Sequence, residues 1–189
     1  IKRMLAYSSV AQVGYMVLGI SLVSSAGLTA AVLHLFNHAL MKGALFLALG
    51  CVAYRLGSVR LGAIAGLGQR MPWTMAAFLV GALSLIGIPL TAGFVSKWYL
   101  ILAAVERGWW PLVVVVIAGS LLAIIYVWRV VEMAYLRPPP EKLSVTEAPL
   151  SLLVPTWLLA GANVYFGIDT RFSVGMARQA AALLTGSNG

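Results

Sequence analysis

Four ionisable side chains lie inside otherwise apolar stretches of the sequence, and their types and spacing could carry chemistry. Three of them, His34, His38 and Lys42, follow one another at intervals of four residues in "HLFNHALMKGALFLALG". On an α-helix this spacing places them on one face, in a stripe about 12 Å long at 1.5 Å of rise per residue. Ionisable groups inside a membrane span are costly and usually functional. The stripe, flanked by Asn37, therefore predicts a ladder of proton-exchanging groups.

Two other interpretations of this stripe stay open. An intramembrane histidine often serves only as a hydrogen-bond partner between helices. The His34–His38 pair also has a spacing that suits a metal ion, but no carboxylate or cysteine lies nearby in the sequence. We therefore favour proton transfer and predict no metal site.

The fourth group, Lys97, follows a place where a helix should come apart, in "LSLIGIPLTAGFVSKWYLILAAV". Pro89 has no N–H and its ring clashes with the preceding turn of a helix, while Gly87 and Gly93 allow unusual dihedral angles. Unwound backbone at membrane depth is tolerated only where protein or a wet cavity satisfies its polar groups, and such breaks recur in ion-coupled transporters. The pattern predicts a discontinuous helix, with a simple proline kink as the alternative.

Lys97 could also extend toward a membrane interface, with its stem along apolar surface and its charge in water. About two turns of apolar helix, roughly 12 Å, separate it from Glu106, which is long for such an arrangement. We therefore predict that Lys97 is a buried lysine that binds and releases a proton.

The composition indicates a membrane protein. Of the 189 residues, 61% are hydrophobic and only 10% are charged, and the mean hydropathy is +0.96, whereas soluble domains are about a quarter charged. The 13 basic residues give a net charge of +8 but form no run interleaved with aromatics, which argues against nucleic-acid binding. A single cysteine excludes a disulfide framework, and without a glycine-rich phosphate loop we predict no cofactor.

The elements that must hold these groups are transmembrane helices, since only helices of this kind satisfy their own backbone in lipid. We predict an all-α, polytopic transmembrane bundle of five spans, at residues 4–24, 27–53, 73–105, 110–135 and 149–168. The third segment is too long for one straight span and contains the break. Residues 1–168 would form the membrane part, and residues 169–189 an extracytoplasmic tail. Because the chain opens without an initiator methionine and shows no signal peptide, we expect a fragment of a longer protein.

The distribution of basic residues predicts the orientation. If every segment crosses once, ten of them divide unequally between the two sides, and the richer side is cytoplasmic in a bacterial-type inner membrane. We expect Glu132 to pair with Arg129 near the cytoplasmic end of the fourth span. The cytoplasmic side would hold Lys2, Arg3, Arg55, Arg60, Arg70, Arg137 and Lys142, and the other side Arg107, Arg171 and Arg178.

The segments "IKRMLAYSSVAQVGYM", "LFNHALMKGALFLALG" and "GIPLTAGFVSKWYL" resemble three consecutive segments of the antiporter-like subunits. That family comprises the large proton-pumping membrane subunits of respiratory complex I and of the Mrp-type cation/proton antiporters. The resemblance implies a longer protein built from two inverted repeats of transmembrane helices, of which this chain looks like the C-terminal part. The glutamate–lysine pair of the family's first repeat would lie outside this sequence.

The resemblance also implies roles for individual residues. Lys97 looks like the family's lysine on its broken helix, which gates the exit half-channel. His38 and Lys42 look like the proton-relay positions, with His34 one turn earlier. Some members have a histidine at the position of Gln12, so the relay here would be shorter or filled with water.

The function that this resemblance implies is proton translocation in a multisubunit sodium/proton antiporter of Mrp type, in which the chain is most similar to the D-type component. The alternative is a proton-pumping subunit of NADH–quinone oxidoreductase or a related membrane hydrogenase, in which case the chain belongs to an enzyme without holding its catalytic site. A third hypothesis is a structural membrane anchor. The expected partners are other membrane subunits, the lipid bilayer, protons and, in an antiporter, Na+.

Overall fold

In a computed structural model, which describes residues 1–139 and 145–186, the chain is an all-α bundle without strands in the part described. A 3₁₀ turn at Leu61–Ile64 precedes the short third helix, and a π-helical turn at Glu132–Leu136 extends the sixth. The helices are α1 (Lys2–Ser21), α2 (Ser25–Leu56), α3 (Leu67–Arg70), α4 (Pro72–Ile86), α5 (Ala92–Glu106), α6 (Trp110–Val131), α7 (Leu150–Ile168) and α8 (Arg171–Thr185).

Four of these elements are long and apolar enough to cross a membrane by themselves: α1, α2, α6 with its π turn, and α7. In contrast, α4 and α5 have 15 residues each, or about 22 Å of helix, against about 30 Å of hydrocarbon in a bilayer. The expected third span is therefore two half-helices, which confirms the prediction of one discontinuous helix among the spans.

The bundle is organised around α2, which packs against α1, α4, α5, α7 and α8. It starts where the Ser24 side chain accepts a hydrogen bond from Gly27 N (3.0 Å), and it ends at Gly57, whose φ of 65° few other residues adopt. Fully buried alanines along it, such as Ala30 and Ala44, let its neighbours approach closely. At 32 residues it is longer than the predicted span 27–53.

The two half-helices follow α2 in the reverse direction, one after the other. Gly81, on α4, faces Ala44 and Leu45 of α2. On α5, the carbonyl of Ala92 accepts a hydrogen bond from Asn37 Nδ2 (2.6 Å). Because residue 37 precedes residue 44 while residue 92 follows residue 81, α4 and α5 together make one antiparallel crossing.

The break itself occupies residues 87–91 and is more than a kink. Gly87 has φ of 92° and Leu90 has φ of 70°, so the backbone turns through the left-handed region twice. Thr91 Oγ1 donates to Ile88 O (2.7 Å) inside the break. Gly93 lies within α5 instead, where its N–H donates to Ser84 Oγ (3.1 Å) and leaves the two half-helices in close contact.

The expected tail contains a further helix, α8, that the hydropathy of the sequence did not reveal. Its buried face includes Val174 and Ala177, which pack with Leu33 of α2 and Val95 of α5. The opposite face exposes a large apolar side chain, that of Phe172. An amphipathic helix of this length has too little continuous apolar sequence to register as a span. Residues 187–189 and Lys142 lie outside the described residues.

The chain start and the segments around residues 55–59 and 147, which the orientation prediction assigns to the same side, meet at one end of the bundle. The amino group of Ile1 donates to Val59 O (3.3 Å), and Arg55 Nη2 donates to Glu147 O (2.5 Å). The expected Arg129–Glu132 pair is wrong, because Glu132 bonds to Arg137 instead (2.8 Å). The π turn that begins at Glu132 changes the helical register, so that the residue five positions later becomes its neighbour.

The close approach of α7 to the break gives a test of this packing. A Cβ at Gly167 would overlap the backbone of Leu90 and Thr91, whereas a Cβ at Gly161, on the same helix, meets nothing within 4 Å. We expect Gly167→Ala to destabilise the protein by about 1–3 kcal/mol, since backbone atoms cannot move aside cheaply. Gly161→Ala is the control. Equal melting temperatures of the two variants in detergent would contradict this packing.

Candidate functional site

Lys97 lies in the second turn of α5 with only 4% of its surface exposed. Its ammonium group reaches back across the break. It donates to the carbonyl oxygens of Leu85 (2.9 Å) and Ile86 (2.8 Å), both in the last turn of α4, and to Ser120 Oγ on α6 (3.0 Å). All three donors of a lysine are thus used inside the protein, and the side chain does not extend to an interface.

The two carbonyls that Lys97 contacts belong to the C-terminus of α4. The last carbonyls of a helix have no partner within it, and the helix dipole makes this end negative. Lys97 therefore caps one half-helix from the other. Gly87 is needed for space as well as for its dihedral angles, since a Cβ there would lie 3.0 Å from Lys97 Cδ.

No carboxylate contacts Lys97 within residues 1–139 and 145–186; its hydrogen-bond partners are two carbonyls and a hydroxyl. The carbonyls can only accept hydrogen bonds, but the Ser120 hydroxyl can accept or donate. The site can therefore satisfy a charged ammonium and, with the hydroxyl turned round, a neutral amine.

An aromatic ring joins Lys97 to the histidines. Tyr15 of α1 has its ring centroid 5.5 Å from Lys97 Nζ and 5.6 Å from the ring of His34, which it meets edge to face. The first of these distances is within the range of a cation–π contact. Gly119 on α6 makes room for the ring, because a Cβ there would overlap the Tyr15 hydroxyl.

His34 is 1% exposed and contacts the residue that precedes Lys97. Its Nδ1 lies 2.8 Å from Ser96 Oγ, which itself donates to Gly93 O (3.2 Å). Because the Ser96 hydroxyl donates its one proton to Gly93 O, its oxygen can only accept a hydrogen bond from His34. Nδ1 is therefore the ring nitrogen that carries the proton and donates it to Ser96. The half-buried ring of His38 lies 6.4 Å from the ring of His34, one turn further along α2.

Lys42, another turn along α2, has an environment similar to that of Lys97. It is 6% exposed, and its Nζ donates to Leu5 O (2.7 Å) and to Ser8 Oγ (2.5 Å), both on α1. Backbone carbonyl and serine hydroxyl are again the partners. Lys42, His38 and His34 thus follow one another along one face of α2, and Lys97 lies on the neighbouring helix α5, next to the break.

The remaining residues singled out from the sequence hold other positions. Asn37 is fully buried and bonds the first turn of α5, so the structure gives it a packing contact. Gln12 is 2% exposed, and its Oε1 has no hydrogen-bond partner in the described part of the chain. Within that part, no group of three or more histidine, cysteine or acidic side chains could hold a metal ion.

Four residues of the site were not found from the sequence. Two of them, Ser8 and Tyr15, lie on the buried stripe of α1. The stripe repeats at intervals of three and four residues, and this helical spacing was a signal that could have found them. The other two are serines on α5 and α6, which nothing in their local sequence distinguishes. The stripe is Leu5, Ser8, Gln12, Tyr15 and Gly19, and the serines are Ser96 and Ser120.

Comparisons with known proteins agree on one family. A family model described as "NADH:quinone oxidoreductase/Mrp antiporter, TM" matches residues 1–123. The NADH-quinone oxidoreductase subunit N of Desulforudis audaxviator is 44% identical over 179 residues, which cover 88% of this chain and 36% of that protein. The chain therefore spans well under half the length of this curated relative.

Two solved structures share the fold. A chain of the Mrp complex from Dietzia sp. DQ12-45-1b superposes with a TM-score of 0.87 at 27% identity, covering 94% of this chain and 41% of that one. A chain of the membrane-bound sulfane sulfur reductase, an archaeal respiratory membrane complex, has a TM-score of 0.80 at 38% identity, covering 86% of this chain and 27% of that one.

The hydrogen bond to Ser120 gives a test of the site's geometry. Ser120→Ala leaves one N–H of the buried Lys97 unpaired, at a cost of about 1–3 kcal/mol. We expect a lower melting temperature in detergent for this variant. Ser151→Ala, at an exposed position of α7, is the control and should leave it unchanged. A Ser120→Ala protein as stable as the unchanged one would contradict the contact.

Proposed function

We propose, because this chain belongs to the NADH:quinone oxidoreductase/Mrp antiporter family of membrane subunits, that it forms part of a proton-translocating subunit in which Lys97 binds and releases the transported proton. The observation that carries the proposal is the buried Lys97, held across a helix break by two carbonyls and one hydroxyl. A purely structural cap would not need a partner that can reverse its hydrogen bond.

The chemistry at Lys97 follows from those three contacts. The charged form donates one hydrogen bond to each of Leu85 O, Ile86 O and Ser120 Oγ. After losing its proton, the amine keeps two N–H groups for the carbonyls and accepts a hydrogen bond from the Ser120 hydroxyl. Neither state leaves the Lys97 nitrogen without hydrogen-bond partners, so neither carries the penalty of about 1–3 kcal/mol for an orphaned lysine.

The route to Lys97 would run along α2. Imidazole can accept a proton on one nitrogen and release one from the other, so His38 and His34 suit a relay between Lys42 and Lys97. Their rings are 6.4 Å apart, which leaves space for one bridging water between them. Lys42 would be the entry group, because its carbonyl and serine partners resemble those of Lys97.

The counter-charge for these lysines would come from the rest of the protein or from a neighbouring subunit. Buried charges are usually paired, and no carboxylate contacts Lys42 or Lys97 in the described residues. We propose that a carboxylate from outside this sequence faces the two lysines when the complete protein is assembled.

Among the assemblies in which the family occurs, we propose a redox-driven one, with other membrane subunits as partners. The identity to the subunit N relative is 44% and to the sulfane sulfur reductase chain 38%, against 27% to the Mrp chain. This ordering supports the alternative of a complex I-type subunit over our first expectation of a D-type Mrp component. The N-terminal end would face the cytoplasm, as the basic residues indicate.

The lysines are the first test of this proposal, made in the complete complex reconstituted into proteoliposomes. We expect Lys97→Ala and Lys42→Ala each to lower the rate of proton translocation at least about a hundredfold, since general acid–base groups typically contribute that much. Lys2→Ala, at an exposed position, is the matched control. Unchanged translocation in both Lys97→Ala and Lys42→Ala would instead support the structural membrane anchor.

A second test separates the two assemblies. We expect proteoliposomes of the complete complex to build a proton gradient when supplied with a reduced electron donor and a quinone in sodium-free buffer, because a redox-driven pump needs no counter-cation. Acidification of the lumen is read from a pH-sensitive dye. A gradient that forms only after a Na+ pulse, without any electron donor, would contradict the redox assignment and support the antiporter.

A further inference from the structure

Glu147 is a charged residue that the proposed proton route does not use, yet its carboxylate holds the start of α4. Oε2 accepts hydrogen bonds from Trp73 N (2.9 Å) and Thr74 N (3.4 Å), and Oε1 accepts from Thr74 Oγ1 (2.5 Å). We propose that Glu147 is a positioning residue: it fixes α4 along the bundle and so sets where the carbonyls that bind Lys97 lie. This inference rests on the proposed role of Lys97.

The start of α4 has no cap of its own. The residue at the N-cap position, Met71, makes no side-chain hydrogen bond, and α4 then begins with Pro72, which has no N–H. The first N–H groups of a helix lack partners within it, and the dipole makes that end positive. A carboxylate both accepts hydrogen bonds from these N–H groups and carries the negative charge that the dipole favours. Glu147, 73 positions after Thr74, supplies it.

Glu147 also ties α4 to two other helices. Its carbonyl oxygen accepts a hydrogen bond from Arg55 Nη2 (2.5 Å), in the last turn of α2. Its Oε1 accepts from Ala148 N (3.0 Å), just before α7 begins. One residue therefore joins the start of α4, the end of α2 that lies beyond Lys42, and the start of α7.

The opposite end of α4 is where Lys97 binds. A helix of 15 residues is about 22 Å long and moves as a rigid body over such a length. A shift at its start is thus passed to the carbonyls of Leu85 and Ile86. Hydrogen bonds of 2.8–2.9 Å weaken within a few tenths of an ångström, so the bonds of Lys97 depend on the axial position that Glu147 sets.

Glu132 provides a matched comparison. It is a glutamate at the π turn that follows α6, and its carboxylate bonds the exposed Arg137, not a helix start (2.8 Å). Its substitution removes the same charge without touching α4, so any general effect of lost negative charge should appear equally in both glutamate variants.

The test uses the complete complex in proteoliposomes and four variants. We expect Glu147→Gln to lower the rate of proton translocation about tenfold, because small misplacements of reacting groups carry penalties of this size or more. Glu147→Asp, which keeps the charge but shortens the side chain by one methylene, should recover only part of the rate. Glu132→Gln should leave it unchanged. Thr74→Val, which removes one hydrogen bond at similar volume, should lower the rate by a smaller factor and serves if Glu147→Gln does not assemble.

Hydrogen exchange measured by mass spectrometry gives a readout independent of transport. If Glu147 positions the whole helix, Glu147→Gln speeds amide exchange both at Trp73 and Thr74 and at the far end, where Gly87 N and Ile88 N donate to Leu83 O. A role confined to capping speeds exchange at the near end only and leaves translocation intact, and that result would overturn the inference. Unchanged translocation in Lys97→Ala would refute the proposed function instead, while the exchange data still decide on positioning.

Discussion

The interaction on which the bundle depends is the one between the Lys97 ammonium and the free carbonyls at the end of α4. A helix that stops inside a membrane leaves carbonyls that lipid cannot satisfy, and a lysine inside a membrane needs acceptors. Each would be unfavourable alone, and here each supplies what the other lacks. The left-handed residues of the break, the glycine beside the lysine stem and the serine on α6 all serve this contact.

Much of the membrane architecture could be predicted from the sequence, because lipid makes strong demands on composition. Long apolar runs with few charges indicated the spans, and Pro89 between two glycines indicated the discontinuous one. The charged residues at span depth were visible for the same reason, since so few are present. The roles of Lys97, Lys42, His38 and His34 remain a proposal, but the common face of the last three on α2 follows from their spacing alone.

What could not be predicted involves residues brought together from distant parts of the chain. Ser120 and Tyr15 look like ordinary span residues until the helices are packed, and Glu147 looks like one charge in a polar loop. Arg129 and Glu132 have suitable helical spacing, but Glu132 bonds instead to Arg137, which follows the π turn. Helix α8 was missed because its hydrophobicity is confined to part of its surface, which span length and mean hydropathy do not detect.

The continuity of α2 has a mechanical consequence. Its 32 residues run without interruption beside a neighbour that is cut in two. The distances between His34, His38 and Lys42 along that rod are therefore constant in any conformation that keeps α2 helical. Any movement of α4 relative to α5 therefore has to take place at residues 87–91, the non-helical segment between them. This segment would act as a hinge, while α2 beside it stays rigid.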